Sequence, residues 1–271
     1  MLLVITPHFM RETVKRITDP DEIWKIVPVI RSAWGMEDMS SLVKDVVAAM
    51  RFHGGIVLGA YDGDRMVGMH FSFPGYRKGR VYLYSHMTGV VDERKYSGIG
   101  YALKMEQARI AREMGYSLIA WTFDPAMSLN AYFNLHKLGA IARTYLPNFY
   151  GTMEDRINRG MKTDRLVAEW YIGGGQEFRS RGYTIENMED GRPARKPVTG
   201  GEDTIGLAIP TDFAALKERD RTEAVAWRQY IGSTLSSLFN QGYVAVDFGK
   251  EPVTHYILTK TDELGENIFR D

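Results

Sequence analysis

Two periodicities of apolar side chains follow one another along the chain and predict helices and strands in a definite order. Apolar residues about three or four positions apart predict helices in DPDEIWKIVPVIRSAWG, SSLVKDVVAAMRFHGG, IGYALKMEQARIAREMGY and AMSLNAYFNLHKLGA. Runs rich in β-branched and aromatic residues predict strands in ETVKRI, IVLGAY, RMVGMHFSF, RVYLYSHMTGVV, SLIAWTFDP and LVAEWYI. The turn DGD between IVLGAY and RMVGMHFSF predicts a hairpin, and Asp19 or Asp21 is expected to cap the first helix, with Pro20 at an early position. The order of these elements indicates a mixed α/β sheet domain that ends near Ile172.

Glycine, proline and mixed charges replace this patterning after Gly173 and predict a linker or long loop over residues 174–203. Beyond it, TIGLAIP, YVAVDFG and VTHYILTK predict strands, and TDFAALKERD and EAVAWRQYIGSTLSSLFNQG predict helices. We therefore expect a main domain over residues 11–173 and a small C-terminal α/β region over residues 204–271. That region could close a substrate pocket, form a homodimer interface or cover a sheet edge, and the sequence leaves these roles open.

The composition excludes several classes of partner and chemistry. Because 34 Lys and Arg balance 34 Asp and Glu, no basic field gathers nucleic acid or an anionic membrane, and we expect neither as a partner. The chain has no cysteine, which excludes disulfides, thiolate metal sites and cysteine nucleophiles and suits a cytoplasmic location. No apolar run approaches the roughly 20 residues that span a bilayer. The histidines show no ligand spacing, so no metal is expected.

The stretch VVDERKYSGIG, from Val90 to Gly100, places two glycines between a predicted strand and a predicted helix. Backbone N–H groups in such a turn can bind a phosphate. A dinucleotide-binding turn would need a third glycine where Leu103 stands, and the lysine motifs of nucleotide-binding and kinase loops are missing. An ordinary strand-to-helix turn, with its glycines serving geometry alone, is the other interpretation.

VVDERKYSGIGYAL resembles the acyl-CoA loop of the GNAT superfamily of N-acyltransferases. The family pattern is Gln or Arg, two residues, Gly, one residue, then Gly or Ala; Gly98 and Gly100 match it, and Lys95 replaces the first residue. Ala131 and Gly139 match a second family pattern in the helix NAYFNLHKLGA. The resemblance covers about residues 11–173 and implies a mostly antiparallel central sheet flanked by helices. It also implies acetyl-CoA or another acyl-CoA as co-substrate, without a metal.

SHMTGV, WTFDP, NAYFNLHKLG and TDRL together resemble a subgroup of GNAT acyltransferases with an added C-terminal region. The subgroup implies N-acylation of small amino compounds, including amino acids. Consecutive N–H groups from Tyr96 to Tyr101 would then face the CoA pyrophosphate, and those of Gly89, Val90 and Val91 could hold the thioester oxygen. Asn130 could hydrogen-bond a pantetheine amide, or it could cap the backbone or face solvent. The expected cofactor-binding residues are Gly89, Val90, Val91, Lys95, Tyr96, Ser97, Gly98, Ile99, Gly100, Tyr101 and Asn130.

His86 is the first candidate for the general base that deprotonates the acceptor amine. By the period of two it should share a strand face with Tyr82, Tyr84 and Thr88, and its unperturbed pKa near 6.5 suits the task. A histidine bonded to a neighbouring strand for structural reasons is the alternative. Glu37, in WGMED between two predicted helices, could also reach the acceptor, or it could cap a helix.

The remaining candidates concern the leaving group and the acceptor. The family tyrosine that protonates the CoA thiolate aligns with Leu135, so Tyr132, one turn earlier on the same helix face, is the candidate acid unless it only packs. Three arginines could bind a carboxylate on the acceptor or on the acyl group: Arg156, Arg159 and Arg165. Alternatively, they pair with acidic neighbours at the surface.

Together these features predict an acyl-CoA-dependent N-acyltransferase. It would transfer an acetyl or succinyl group directly to the amine of a small molecule such as an amino acid. The alternative is a non-catalytic acyl-CoA-binding module that serves regulation or assembly.

Overall fold

The computed structural model describes residues 12–35, 42–95, 97–151, 153, 160–173 and 182–270. Their contacts divide the chain into two compact units, one of residues 1–75 and 81–119 and the other of residues 76–80 and 120–271. The contacts thus separate the chain at Ile119, whereas the sequence predicts a boundary near Gly173. The predicted division into residues 11–173, 174–203 and 204–271 stays a prediction.

The first unit contains the strands and helices around the glycine loop. Its strands lie in the order β1-β2-β3-β4, and the β1–β2 and β2–β3 pairs are antiparallel. The strands are β1 (Thr13–Arg16), β2 (Ile56–Asp62), β3 (Arg65–Arg77) and β4 (Arg80–Val90). The helices are α1 (Ile26–Trp34), α2 (Leu42–Phe52) and α3 (Ile99–Glu113), with 3₁₀ turns at Pro20–Lys25 and Asp92–Arg94. The predicted β2–β3 hairpin is confirmed.

Local sequence signals explain the entry to α1. The Asp19 carboxylate accepts a hydrogen bond from the Asp21 N–H at 2.9 Å and so caps the turn that leads into the helix, as the sequence predicts. Ile26, Val29 and Ile30 are fully buried on one helix face, which is the apolar stripe expected of a helix packed on a sheet. Gly35 ends α1 in the left-handed conformation, with φ at 68°.

The second unit contains all the later elements. Its strands lie in the order β5-β7-β6-β12-β13-β11-β8. They are β5 (Leu118–Phe123, whose first two residues belong to the first unit), β6 (Ile141–Leu146), β7 (Arg165–Tyr171), β8 (Thr184–Ile185), β11 (Thr204–Ala208), β12 (Tyr243–Gly249) and β13 (His255–Lys260). A separate pair is β9 (Met188–Glu189) with β10 (Arg192–Pro193). The helices are α4 (Ser128–Ala131), α5 (Phe213–Arg219) and α6 (Arg221–Asn240).

The C-terminal strands continue the sheet of the preceding segment. β12 pairs antiparallel with β6, where Ala245 lies opposite Ala142, and β13 then pairs antiparallel with β12 and β11. Only the short β8–β11 pair is parallel among the pairs whose direction is described. Helices flank mostly antiparallel strands in each unit, which confirms the predicted α/β class. In the described part of the chain, no helix combines the length and apolar character needed to span a bilayer.

Candidate functional site

Strand β4 carries one extra residue, at Met87, between His86 and Thr88. The Phe71 and His86 rings lie opposite each other, and so do those of Phe73 and Tyr84; this register would place His70 opposite Met87. Instead the His70 Nδ1 atom contacts the Thr88 hydroxyl at 2.9 Å, and the Val91 N–H donates to the Val67 carbonyl at 3.0 Å. The later pairs are therefore shifted by one residue, which defines a β-bulge.

The bulge decides which side chains of β4 share a face. Ser85 accepts a hydrogen bond from Lys104 of α3 at 2.6 Å, so it faces α3. Thr88 lies on that same face, because its partner His70 does. His70 comes two residues after Gly68 on β3 and so shares its face, and a Cβ atom on Gly68 would meet Ile99 and Leu103 of α3. The sequence prediction that Thr88 shares a face with His86 is therefore wrong, since strict alternation does not hold across a bulge.

His86 lies on the sheet face away from α3, beside a group of aromatic rings. Its ring centroid is 5.1 Å from that of Phe71, 5.8 Å from Phe73 and 5.9 Å from Tyr84. The imidazole keeps an exposed edge, while the surrounding rings desolvate the rest of it and lower its pKa. At neutral pH the imidazole is therefore uncharged and able to accept a proton.

The end of β4 lies close against α1. A Cβ atom on Gly89 would come within 2.5 Å of the Trp34 ring, so only glycine fits here without movement of the tryptophan. The Asp92 N–H donates to the Ser32 hydroxyl at 3.0 Å. Of the three N–H groups expected to hold a thioester oxygen, that of Val91 is already bonded to Val67.

The N-terminus of α3 is uncapped by side chains. Gly98 is its N-cap in the left-handed conformation, with φ at 89°, and makes no side-chain capping bond. The first intrahelical bond runs from the Ala102 N–H to the Gly98 carbonyl at 3.0 Å, so the N–H groups of Ile99, Gly100 and Tyr101 have no intrahelical acceptor. A Cβ on Gly100 would meet only the Val90 side chain, at 4.0 Å. Among the described residues, open space therefore lies beside Gly100.

The charged residues of the loop form exposed ion pairs. Lys95 pairs with Asp92 and keeps 41% of its side chain exposed, while Arg94 pairs with Asp62 and, at 3.4 Å, with Glu12. Exposed pairs contribute little to stability, so Lys95 can turn to another anion at small cost. Ser97 donates its hydroxyl to the Arg94 carbonyl at 2.6 Å. Tyr96 lies outside the described residues.

The candidates on the helix after β5 belong to the second unit. α4 continues as a π-helical turn over Tyr132–Lys137, a local form frequent at functional sites. The Tyr132 ring stacks on His136 at 4.6 Å, and the Lys250 Nζ atom lies 3.7 Å from the Tyr132 ring centroid. Asn130 is exposed.

Among the arginines expected to bind a carboxylate, only Arg165 lies in the described residues. It is buried, 3.8 Å from the Asp124 carboxylate, which also accepts two hydrogen bonds from Arg228, at 3.2 and 2.7 Å. Sequence spacing gave no signal for this contact, since 104 residues separate Asp124 from Arg228. Arg156, Arg159 and Glu37 lie outside the described residues.

The buried polar side chains between α3 and the sheet were not among the predicted site residues. His70, Ser85 and Lys104 are buried, and none follows from a known motif. A signal was present in α3, because Lys104 directly follows the core residue Leu103 and precedes Ala108 by one turn. A lysine in that stripe interrupts an otherwise apolar helix face.

Comparison with solved structures identifies the fold. No family model matches the sequence, and no curated protein matches it. The chain is similar to yncA of Salmonella typhimurium, solved with its cofactor acetyl-CoA (13% identity, TM-score 0.50, 62% of this chain and 98% of that one). A second similar structure is the ribosomal-protein-S18-alanine N-acetyltransferase of Escherichia coli (11% identity, TM-score 0.49, 63% of this chain and 99% of that one). A third is a GNAT family acetyltransferase of Elizabethkingia anophelis with acetyl-CoA bound (16% identity, TM-score 0.45, 59% of this chain and 98% of that one). At such identities the likeness shows the fold alone, and it confirms the predicted GNAT fold over about three fifths of the chain.

Proposed function

We propose that this chain, which has the GNAT fold, is an acyl-CoA-dependent N-acyltransferase that acylates the amine of a small molecule. The observation that carries the proposal is the uncapped start of α3, where the N–H groups of Ile99, Gly100 and Tyr101 have no intrahelical acceptor and Gly100 leaves open space beside the helix. These N–H groups come shortly after β4, the bulged strand that carries His86.

The start of α3 suits the pyrophosphate of CoA. A helix N-terminus carries a partial positive charge, and its free N–H groups donate to phosphate oxygens. Gly100 leaves room for a phosphate to approach the backbone, and Lys95 supplies a mobile positive charge. The N–H groups of Gly89 and Val90 remain the proposed donors to the thioester oxygen.

The chemistry needs a base for the incoming amine. An alkyl ammonium with a pKa near 10 is mostly protonated at neutral pH, so His86 is proposed to take one proton at its exposed imidazole edge. The amine nitrogen then bonds to the thioester carbonyl carbon and loses its second proton to solvent, the carbon–sulfur bond breaks, and the thiolate leaves with the electron pair. Tyr132 is the proposed donor of the proton to that thiolate, and Asn130 the proposed ligand of pantetheine.

The acceptor is proposed to be a small amine such as an amino acid, and the acyl group acetyl or succinyl. Because 34 Lys and Arg balance 34 Asp and Glu, no net charge favours a large polyelectrolyte acceptor. Arg165 is held by Asp124, so Arg156 and Arg159 are the proposed ligands for a carboxylate.

Release of thiol from acetyl-CoA and from succinyl-CoA, each with a panel of amino acids and simple amines, tests the proposal. We expect turnover with at least one pairing, well above the rate of hydrolysis without amine. Calorimetry with CoA alone is the matched binding measurement. CoA binding without thiol release from any pairing would favour the non-catalytic binding module, and absence of CoA binding would refute both.

A further inference from the structure

Two polar contacts, one buried and one partly buried, hold β4 from the α3 side, one on each flank of the bulge. Lys104 of α3 donates to the Ser85 hydroxyl at 2.6 Å, two residues before Met87. His70 of β3 contacts the Thr88 hydroxyl at 2.9 Å, one residue after Met87. The exposed fractions are 0% for His70, 3% for Lys104 and 4% for Ser85.

These groups are unfavourable residues for a core. Desolvation lowers the pKa of Lys104 and of His70 well below their ordinary values, and the nearby Lys104 lowers that of His70 further. Apolar side chains of similar volume often stabilise a core more than such groups do. Their location at a bulge therefore calls for a role other than general stability.

We propose that Lys104 and His70 are positioning residues that fix the bulge of β4 and thereby aim His86; the functional part of this inference rests on the proposed acyltransfer. A bulge leaves the extra residue unpaired, bends the strand and increases its local twist. Attachment of Ser85 and Thr88 on one face fixes the rotation of the strand between them. His86 projects from the opposite face of that same short segment, so the orientation of its imidazole is fixed as well.

Lys104 also links the strand to the phosphate site. It lies in the same helix as Gly100, four residues later, which corresponds to about 6 Å along the helix axis. Because an α-helix is stiff over one turn, the Lys104–Ser85 bond sets the distance between the N–H groups at the start of α3 and β4. The Lys104 side chain thus connects the bulged segment, which carries the proposed base His86, to the helix whose first N–H groups are proposed to bind phosphate.

The test uses the full-length protein with Lys104→Met and Thr88→Val, each of which removes one contact with little change in volume. Gln107→Leu is the matched control. Gln107 lies on the same helix, is fully buried, and its amide atoms lack hydrogen-bond partners in the described part of the chain. Amide hydrogen exchange of residues 85–91, thermal unfolding, and kcat with KM for acyl-CoA are measured for all three.

We expect exchange of residues 85–91 to accelerate at least tenfold in Lys104→Met and in Thr88→Val, without a fall in the unfolding midpoint of Lys104→Met. We also expect kcat to fall at least tenfold while KM for acyl-CoA stays within twofold. Thr88→Ser, which keeps the hydroxyl, should restore both, and Gln107→Leu should alter neither.

Unchanged exchange in both variants would overturn the inference whether or not the enzyme turns over. Accelerated exchange with unchanged kcat would overturn the positioning role. If the wild type releases no thiol, the proposed function fails, while accelerated exchange would still support the two contacts as the fixing points of the bulge.

Discussion

Replacement of Gly100 by valine separates ligand binding from folding at the start of α3. A Cβ atom at this position would meet only the Val90 side chain, at 4.0 Å, which is an ordinary van der Waals contact. Glycine is the worst helix former apart from proline, and valine is better by about half a kcal/mol. The substitution should therefore leave the free energy of unfolding unchanged or slightly raised.

The effect on binding follows from the lost donors. The branched methyl groups would fill the space above the N–H groups of Gly100 and Tyr101, where a pyrophosphate oxygen must lie. Hydrogen bonds to a charged acceptor contribute about 1.5–3 kcal/mol each, so loss of two weakens binding by about 3–6 kcal/mol. Since about 1.4 kcal/mol corresponds to a factor of ten, the Kd for acetyl-CoA should rise at least about 100-fold.

Isothermal titration calorimetry with acetyl-CoA, together with thermal unfolding of the same samples, checks this result. Gly100→Ala is the control, because a single methyl group matches the family pattern and should change the Kd by less than about threefold. Gly98 is a poorer target, since its φ of 89° strains any other residue. If Gly100→Val binds acetyl-CoA as tightly as the wild type, the phosphate site does not lie at the start of α3.

Three further substitutions test other parts of the structure. His86→Gln should lower kcat by about 100-fold or more without changing acyl-CoA affinity. Because the His86 pKa is lowered, the wild-type rate should rise with pH through a value below 6.5, and a His86→Gln variant that keeps this rise would exclude His86 as the base. Gly89→Ala should destabilise the protein by about 1–3 kcal/mol in urea unfolding, because its Cβ meets Trp34, whereas Gly265→Ala, with open space around it, should have no effect. Arg228→Met should cost about 3 kcal/mol, because it removes the bidentate partner of buried Asp124; a loss below about 1 kcal/mol would show that Arg165 alone compensates.

Local signals in the sequence were sufficient to predict the helices and strands of the first unit. The β2–β3 hairpin follows from a turn between two apolar runs, and the entry to α1 follows from Asp19 and Pro20. The loop was predictable because Gly98 and Gly100 separate a strand pattern from a helix pattern. Each of these features depends on residues within a few positions of one another, which is the range that propensity and capping describe.

Long-range pairing was not predictable from the same signals. Periodicity identified β12 and β13 as a strand pair, but nothing in either segment indicates that Ala245 pairs with Ala142 of β6. The contact between Arg228 and Asp124 has the same character. Such contacts are selected by the packing of whole elements, which local patterns in the sequence do not describe.

The bulge in β4 explains why the prediction for Thr88 failed, and this failure is informative. Alternation assumes a uniform strand, and one extra residue at Met87 moves Thr88 to the α3 face. The neighbouring irregularity, a lysine within the apolar stripe of α3, bonds to that same strand two residues before the bulge. Each feature by itself weakens a regular sheet or core. Sequences that fold well break local rules mainly where function requires it. Both departures flank His86 and adjoin the start of α3, so they lie where the proposed acyltransfer would require the strand, the helix and the imidazole to be held in fixed positions.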